Sequence, residues 1–561
     1  MRVVRHITAF MACIMLFPAS HAVQLRREPG YRIPESILPT DIDNPALWAP
    51  ASGSILTRAA APGDYAVNDI PRLGTIEYPL VLVDFKNRGF SIQDPEKLVE
   101  QYERMFNEHG YSDPNRYFVH GNAFYGATGS VSDYFRDQSY GQYTPKFKII
   151  GPVHLSRGYE YYGNGKYDQS AHIDELVHEI CDSIVKNGLA NLAGYSDNGR
   201  LHQLSIIYAG RGENYVGSDA NTIWPQASIM YTTKRDSVYS KGIYSIRYAC
   251  TCELFWDSDS ILDGIGTFCH EFSHTLGLPD FYNTSSESQS ESNAAMGYWS
   301  LMDYGNYENL GFSPVGYTAF EKYSLGWLEL QEINNAGPYY LTDISREPNP
   351  EKGEYCAYRL STLDENQFII LENHRKTGWY KYHKAEGLMV TAVDYDKDSW
   401  VNTNKVNTST KRYQILPADN NYNRNTNDGD LFPYEYSDST GTHVTDSIST
   451  LGKPALKAGS SYPNPSLSIY NIKKEGVIVT FRAGFDLPSG FTNTTEQKVT
   501  MSIIDGELSV TAPMGSTVTI HDISGKIISV VTTSEPTQQI ALPSHGIWIV
   551  KCGDLVRKIQ K

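Results

Sequence analysis

Two histidines stand four residues apart, at His270 and His274, within an apolar stretch over residues 261–276 that is long enough for a helix. Side chains four positions apart lie on the same face of an α-helix. The stretch is followed by Gly277, and glycine readily adopts the left-handed conformation that ends a helix. The chain is therefore expected to present both imidazoles on one helix face and to turn back directly after them.

This pair of imidazoles predicts a metal site. Two histidines on one helix face can bind one Zn²⁺, with nitrogens about 2.0–2.1 Å from the ion. Glu271 follows the first histidine and is placed to take a proton from a metal-activated water. Asp280 is the third ligand that the spacing favours, which leaves one zinc position open, as catalysis requires. Glu308 and Glu321 remain alternatives for that third ligand.

A second run of residues supports the metal site. A bare His-Glu-x-x-His run also occurs by chance on surface helices, so it does not identify a site alone. Downstream, residues 300–304 read Ser-Leu-Met-Asp-Tyr, which predicts a turn that places Met302 beneath the metal. Without a metal, Met302 would be an ordinary core residue and Tyr304 an ordinary surface residue. The two runs together favour a metal site over coincidence.

The combined pattern resembles the metzincin class of zinc peptidases, whose motif ends in a third histidine. With Asp280 in that place, the chain is similar to the immune inhibitor A-like family of secreted bacterial metallopeptidases. The resemblance covers roughly residues 78 to 330 and includes Leu82-Val83-Asp84-Phe85, Ile223-Trp224-Pro225 and Leu325-Gly326-Trp327. It implies a catalytic domain with a mixed sheet and an active-site helix. It also implies that Tyr304 faces the zinc and helps to hold the oxyanion.

The N-terminus has the pattern of a cleaved signal peptide over residues 1–22. Arg2 and Arg5 precede an apolar run over residues 7–17, and the small residues Ser20 and Ala22 follow at the usual cleavage spacing. The run is too short to span a bilayer, and no other segment is long and apolar enough to do so. We therefore expect export and no transmembrane anchor.

Composition changes mark the remaining boundaries. Residues 23–74 are rich in proline and are interpreted as a pro-segment that covers the cleft until it is removed. Residues 75–337 are the predicted catalytic domain. Short alternating apolar runs over residues 338–485 predict a β-rich accessory domain, and residues 486–496 a polar linker. The predicted fold class is α+β, a metzincin-like domain followed by β-sandwich-like domains.

Residues 497–561 form the last predicted unit, a small β-domain. The stretches over residues 517–526, 546–551 and 556–561 resemble the C-terminal sorting domain of type IX secretion. The resemblance implies a secretion machinery as partner and export across both membranes to the cell surface or the medium. An accessory β-domain that binds carbohydrate is the alternative.

The overall charge argues against one class of function, whereas the cysteines and a run of acidic residues leave disulfide pairing and calcium binding open. The formal net charge of −16 argues against nucleic-acid binding, which needs a basic surface. Six cysteines remain after signal cleavage, and their pairing cannot be read from the sequence. Asp394, Asp396 and Asp398 alternate as in a calcium loop, but the glycine and distal glutamate of an EF-hand are missing. Calcium therefore stays a secondary possibility beside Zn²⁺, and a solvated acidic turn is preferred.

The sequence thus predicts a secreted zinc endopeptidase that acts on proteins or peptides. Its predicted metal ligands are His270, His274 and Asp280, and its predicted catalytic residues are Glu271 and Tyr304. One rival is a non-catalytic surface adhesin with a degenerate peptidase domain, which the intact acid at Glu271 disfavours. Another is a metallo-amidase that acts on a substrate other than protein.

Overall fold

The structure is a computed structural model, and it divides the chain into two compact units, residues 1–485 and 486–561. The predicted signal peptide, the predicted pro-segment up to residue 69 and the predicted linker lie outside the described residues. The structure describes residues 70–112, 116–119, 122–163, 172–216, 222–256, 258–284, 295–423, 427–463, 467–485, 499–504, 507–512, 516–523, 525–535, 537–542, 546–553 and 555–560.

A mixed sheet forms the centre of the N-terminal half of the first unit. The strands of this half are β1 (Gly74–Asp84), β2 (Arg116–Val119), β3 (Asn122–Tyr125), β4 (Tyr143–His154), β5 (Ser196–Asp197), β6 (Arg200–Arg211), β7 (Gln226–Tyr231) and β8 (Ser245–Leu254). The sheet has the order β4-β1-β6-β8-β7, with β5 paired to β6, while β2 and β3 form a separate hairpin. The central pairs are parallel and β7 runs antiparallel to β8 at the edge.

Helices cover both faces of this sheet. They are α1 (Pro95–Asn107), α2 (Val131–Gln138), α3 (Tyr159–Tyr162), α4 (Ile173–Lys186), α5 (Glu213–Val216), α6 (Gly266–Leu276) and α7 (Ala319–Ser324). Residues 80–83 of β1 are all buried, as expected for a central parallel strand. Leu80 and Leu82 belong to one buried cluster with α6, and Val81 and Val83 to another with α4. The alternation of β1 therefore places the two helices on opposite faces.

The helix with the two histidines starts later than the apolar stretch suggests. It begins at Gly266, whereas Leu262 forms a β-bridge with Leu254. A Cβ atom on Gly266 would lie 2.0 Å from the Asn306 carbonyl oxygen, and one on Gly264 would lie 2.2 Å from the Gly311 carbonyl oxygen. The N-terminal turn of α6 thus packs directly on the backbone of residues 304–311, and only glycine permits that approach.

Mainly antiparallel strands make up the rest of the first unit. They are β9 (Gln331–Glu332), β10 (Gly337–Leu341), β11 (Ala357–Ser361), β12 (Gln367–His374), β13 (Gly387–Asp394), β14 (Tyr413–Ile415), β15 (Tyr434–Asp438), β16 (Gly441–Thr445), β17 (Leu467–Glu475) and β18 (Ile478–Phe485). The sheets have the orders β14-β13-β12-β11-β9, β10-β18-β17 and β15-β16. In β12, Ile369 and Leu371 face the core between these sheets, whereas Phe368 and Ile370 join the cluster that contains α6. The accessory region and the catalytic region therefore share a core.

The second unit is a small β-sandwich. Its strands are β19 (Thr500–Ile504), β20 (Glu507–Thr511), β21 (Thr517–His521), β22 (Ile527–Thr532), β23 (Thr537–Ile540), β24 (Ile547–Cys552) and β25 (Leu555–Gln560). One sheet has the order β19-β20-β23 and the other the order β22-β21-β24-β25. Val510 and Ile540 of the first sheet share a core with Ile520 and Val550 of the second. The predicted mixture of helices and strands, rich in sheet, is confirmed for the chain.

Two further observations concern the thiols and the helices. Among the described residues, each cysteine is a buried free thiol, namely Cys181, Cys250, Cys252, Cys269, Cys356 and Cys552. Within the same part of the chain, no helix has the length and apolar character needed to cross a bilayer.

His374 and His383 are buried together where the accessory region meets Trp299. Their ring centroids are 5.4 Å apart, and the Trp299 ring lies 4.4 Å from His383. Both nitrogens of His383 lack a hydrogen-bond partner among the described atoms. Burial, together with the neighbouring His374 and Lys376, lowers the pKa of His383 well below its usual range. His383 is thus held in its neutral form.

We predict that this buried histidine makes the fold sensitive to acid. Below the unfolded pKa of about 6.5, the unfolded chain binds a proton that folded His383 does not, so stability falls as the pH drops. The loss approaches about 1.4 kcal/mol per pH unit for one such group. Urea unfolding at pH 7.5 and 5.5 should therefore show a smaller pH-dependent loss for His383→Phe than for the wild type. A parallel loss in both proteins would contradict the assignment.

Candidate metal centre

Helix α6 presents the two predicted histidines from its last turns. His270 and Glu271 are 6% and 7% exposed, and His274 is half-buried. The helix ends at Gly277, whose φ of 107° is left-handed and whose N–H donates to the His274 carbonyl. This reversal returns the chain toward the histidines, as the sequence predicts.

Backbone carbonyls orient both imidazoles. The Nδ1 atom of His270 lies 2.8 Å from the Leu301 carbonyl oxygen, and Nδ1 of His274 lies 2.8 Å from the Leu278 carbonyl oxygen. A carbonyl oxygen only accepts, so each Nδ1 carries the proton. When such a ring is neutral, its lone pair therefore lies on Nε2, which is the form of histidine that binds a metal.

The carboxylate of Asp280 lies between these two nitrogens. Its Oδ1 atom is 3.1 Å from Nε2 of His270 and 3.2 Å from Nε2 of His274. The next residue, Phe281, donates its N–H to the Met302 carbonyl oxygen at 2.7 Å. The turn that carries Met302 thus holds the loop after α6 as well as the first histidine.

These three residues fit a metal ion. Among the described residues, the ligand atoms of His270, His274 and Asp280 form a group that could hold one, with all of them within 4.8 Å of one another. Two neutral imidazoles and one carboxylate are a common donor set for catalytic zinc, which keeps a further position for water or substrate. The orientation of each Nε2 toward the carboxylate is the observation that supports the fit.

Charge around the group is strongly polarised. Burial would raise the pKa of Asp280, but His274 and His270 hold it well below its usual range. Burial lowers the pKa of His274, yet the nearby Asp280 carboxylate outweighs it and raises the value to about 9. Burial raises the pKa of Glu271 despite the opposing histidines. The site therefore stabilises positive charge at His274, and a bound cation would also supply such charge.

The two alternative third ligands lie in other surroundings. Glu321 accepts hydrogen bonds from Ser300 Oγ at 2.6 Å and from the Thr318 N–H at 2.7 Å, so it caps α7 and braces the Met302 turn. Glu308 is buried, which raises its pKa to about 8. Neither belongs to the candidate metal group found among the described residues. The geometry therefore favours Asp280.

The candidate calcium loop has its carboxylates engaged with protein groups. Asp394 pairs with Arg412 at 3.0 Å, and Asp396 accepts from the N–H and hydroxyl of Ser399. Asp398 accepts from Asn402 Nδ2 at 3.0 Å. These partners are typical of a locally bonded acidic turn.

A second tyrosine, Tyr282, lies near both His270 and Tyr304. The Tyr282 ring lies 6.4 Å from the His270 ring and 6.5 Å from the Tyr304 ring. Burial and the nearby Asp280 raise the pKa of Tyr282. The sequence prediction missed Tyr282, although its position just after Asp280 could have indicated it.

The metal group opens onto a cleft of about 420 Å³. One wall is the edge strand β7 with Trp224, and Trp400 and Asn404 of the accessory region contribute to another. Asn404 Nδ2 donates to Asp280 Oδ2 at 2.6 Å. The sequence prediction missed Asn404, and no local pattern marks it.

We predict that zinc binding depends on Asp280 and not on the alternative glutamates. Removing one of three protein ligands should strongly weaken a zinc site. Zinc analysis after dialysis should give about one ion per chain for the wild type and far less for Asp280→Ala. Glu308→Gln, a change at another buried acid, is the matched control and should retain the ion. Full zinc occupancy in Asp280→Ala would assign the third ligand elsewhere.

Comparison with known proteins finds similarity to a peptidase domain and to a metalloprotease. The chain is 24% identical over 360 residues to the pre-pro-metalloprotease PrtV of Vibrio cholerae serotype O1, in the strains M66-2 and El Tor Inaba N16961. The alignment covers 54% of this chain and 37% of the relative, so the chain matches little more than a third of that protein's length. Residues 79–331 match the model of the immune inhibitor A peptidase M6 catalytic domain. The region that carries the metal group is therefore similar to the catalytic domain of the immune inhibitor A peptidase M6 family.

Proposed function

We propose that the chain is a secreted zinc metalloendopeptidase of metzincin-like architecture. The observation that carries the proposal is the convergence of His270, His274 and Asp280 beside Glu271 in an open cleft. The match of residues 79–331 to a peptidase domain supports the same reaction.

The proposed peptide-bond hydrolysis uses both the metal ion and protein side chains. Zinc held by His270, His274 and Asp280 would lower the pKa of water toward about 7 and polarise the scissile carbonyl. Glu271 takes the proton from the attacking water and then gives it to the leaving amine. Glu271 lines the cleft and is only 7% exposed, so little bulk water reaches its carboxylate.

One wall of this cleft is an edge strand to which an extended peptide substrate can bind. Strand β7 lies at the edge of the sheet, and residues 226–229 line the cleft. An edge strand has backbone N–H and C=O groups free to pair with an extended peptide. Ser228 and Ile229 are exposed along this edge. A polypeptide can therefore lie along β7 with its backbone directed across the metal group.

Export and latency complete the proposal. Residues 1–22 act as the signal peptide, residues 23–74 as the pro-segment, and residues 497–561 as a sorting domain for type IX secretion. The support is the sequence pattern at both ends, together with the compact β-sandwich of the second unit. The partners are accordingly protein substrates and the secretion machinery.

We predict that Glu271→Gln retains zinc and loses peptidase activity. The amide has the shape of the acid but cannot accept the proton, and loss of a general base typically costs 10²–10⁴-fold in rate. Hydrolysis of a quenched fluorescent peptide by the zinc-loaded protein measures the effect, with Glu308→Gln as control. Full activity in Glu271→Gln would refute the mechanism. A wild type that binds zinc yet cleaves no peptide would favour the adhesin instead.

We predict a further, separable effect at Tyr304. If its hydroxyl stabilises the oxyanion, Tyr304→Phe should lower kcat by roughly 10²–10³-fold and leave KM almost unchanged. Tyr282→Phe, which removes the hydroxyl that hydrogen-bonds to Asp280, is the comparison variant and should lower kcat by less than about tenfold. A larger loss of kcat in Tyr282→Phe than in Tyr304→Phe would instead assign the stabilisation of the oxyanion to Tyr282.

A further inference from the structure

One asparagine from the accessory region holds the third ligand at two points. Asn404 Nδ2 donates to Asp280 Oδ2 at 2.6 Å. In return, the N–H of Asp280 donates to Asn404 Oδ1 at 2.8 Å. One side-chain amide thus fixes both the backbone and the carboxylate of Asp280, and it leaves Oδ1 directed at the two histidines.

The backbone of Asn404 is itself fixed. Its φ of 50° is left-handed, a conformation that asparagine tolerates better than most residues. The Asn404 carbonyl accepts from Thr284 Oγ1 at 2.9 Å, and the Lys405 N–H donates to the Ser399 carbonyl at 2.9 Å. The amide of Asn404 is therefore presented to Asp280 by an ordered loop.

A second asparagine ties the same two segments together. Asn407 is fully buried, and its Nδ2 donates to the Phe281 carbonyl at 2.8 Å and to the Tyr413 carbonyl at 2.7 Å. Asn407 also forms a parallel bridge with Asn283. The loop between β13 and β14 therefore runs beside the loop after α6, and Asn404 is the member of this contact that reaches the carboxylate.

We propose that Asn404 is a positioning residue for the metal ligand Asp280, so that the accessory region completes the metal centre. This inference rests on the proposed metal site. An Asp carboxylate that is free to rotate must be ordered when it binds a metal, and the amide of Asn404 supplies that order beforehand. Groups that orient a ligand in this way typically change metal affinity by 10–100-fold.

If the role of Asn404 were only structural, a different experimental result would be expected. If Asn404 only ties two loops together, its removal should destabilise the fold regardless of metal, and so should removal of a neighbouring tie. If it positions the carboxylate, its removal should weaken metal binding and leave the metal-free fold almost unchanged. Metal affinity and metal-free stability therefore separate the two roles.

The test compares two variants of the full-length chain. Asn404→Gly removes the amide and accommodates the left-handed backbone, whereas Thr284→Ala removes a tie between the same loops and leaves the amide in place. Zinc affinity is measured by competition with a chromogenic chelator, and stability by urea unfolding in excess EDTA. The visible spectrum of the cobalt(II)-loaded protein reports the geometry of the ligands.

We expect Asn404→Gly to weaken zinc binding by about 10–100-fold, to change the cobalt spectrum, and to unfold in EDTA almost like the wild type. Thr284→Ala should bind zinc like the wild type. Unchanged affinity in Asn404→Gly would overturn the inference, and so would equal losses of affinity in both variants. A wild type that binds no zinc would instead refute the metal site itself.

Discussion

A buried carboxylate shared by two imidazoles is the constraint on which the rest of the structure depends. Such a group is costly unless positive charge compensates it, and Asp280 has both histidines within 3.2 Å. The surrounding backbone meets that requirement through the carbonyls of Leu278 and Leu301, which hold each ring with Nε2 toward the carboxylate. Either a proton or a bound metal ion supplies that positive charge.

Close packing connects the metal-binding residues to the rest of the fold. The first turn of α6 rests on the backbone of residues 304–311, because Gly264 and Gly266 leave no side chain in between. The Met302 turn joins the first histidine to the loop after α6, and Glu321 braces that turn from α7. A change of volume at either glycine would therefore displace a metal ligand as well as the helix.

The sequence predicted the local half of this site and missed the distant half. The spacing of His270 and His274, the reversal at Gly277 and the choice of Asp280 follow from helix geometry, which acts within one or two turns. Asn404 is 124 residues from Asp280, and a single asparagine has no periodicity to mark it. The start of α6 was placed too early, because Ile261 and Leu262 are apolar for packing and bridging rather than for helix formation. The sorting role in type IX secretion remains a prediction, and so do the boundaries of the signal peptide and the pro-segment.

The contact between Asp280 and Asn404 has a consequence for how this protein can be divided or recombined. The region similar to the peptidase M6 domain ends at residue 331, and a fragment cut there would keep both histidines, Glu271 and Asp280. It would lack the amide that orders the carboxylate, and it would expose the core that β12 shares with α6. The catalytic region is thus not an independently exchangeable domain. Its folded core extends beyond residue 331, where the similarity to the peptidase domain ends, into the accessory region.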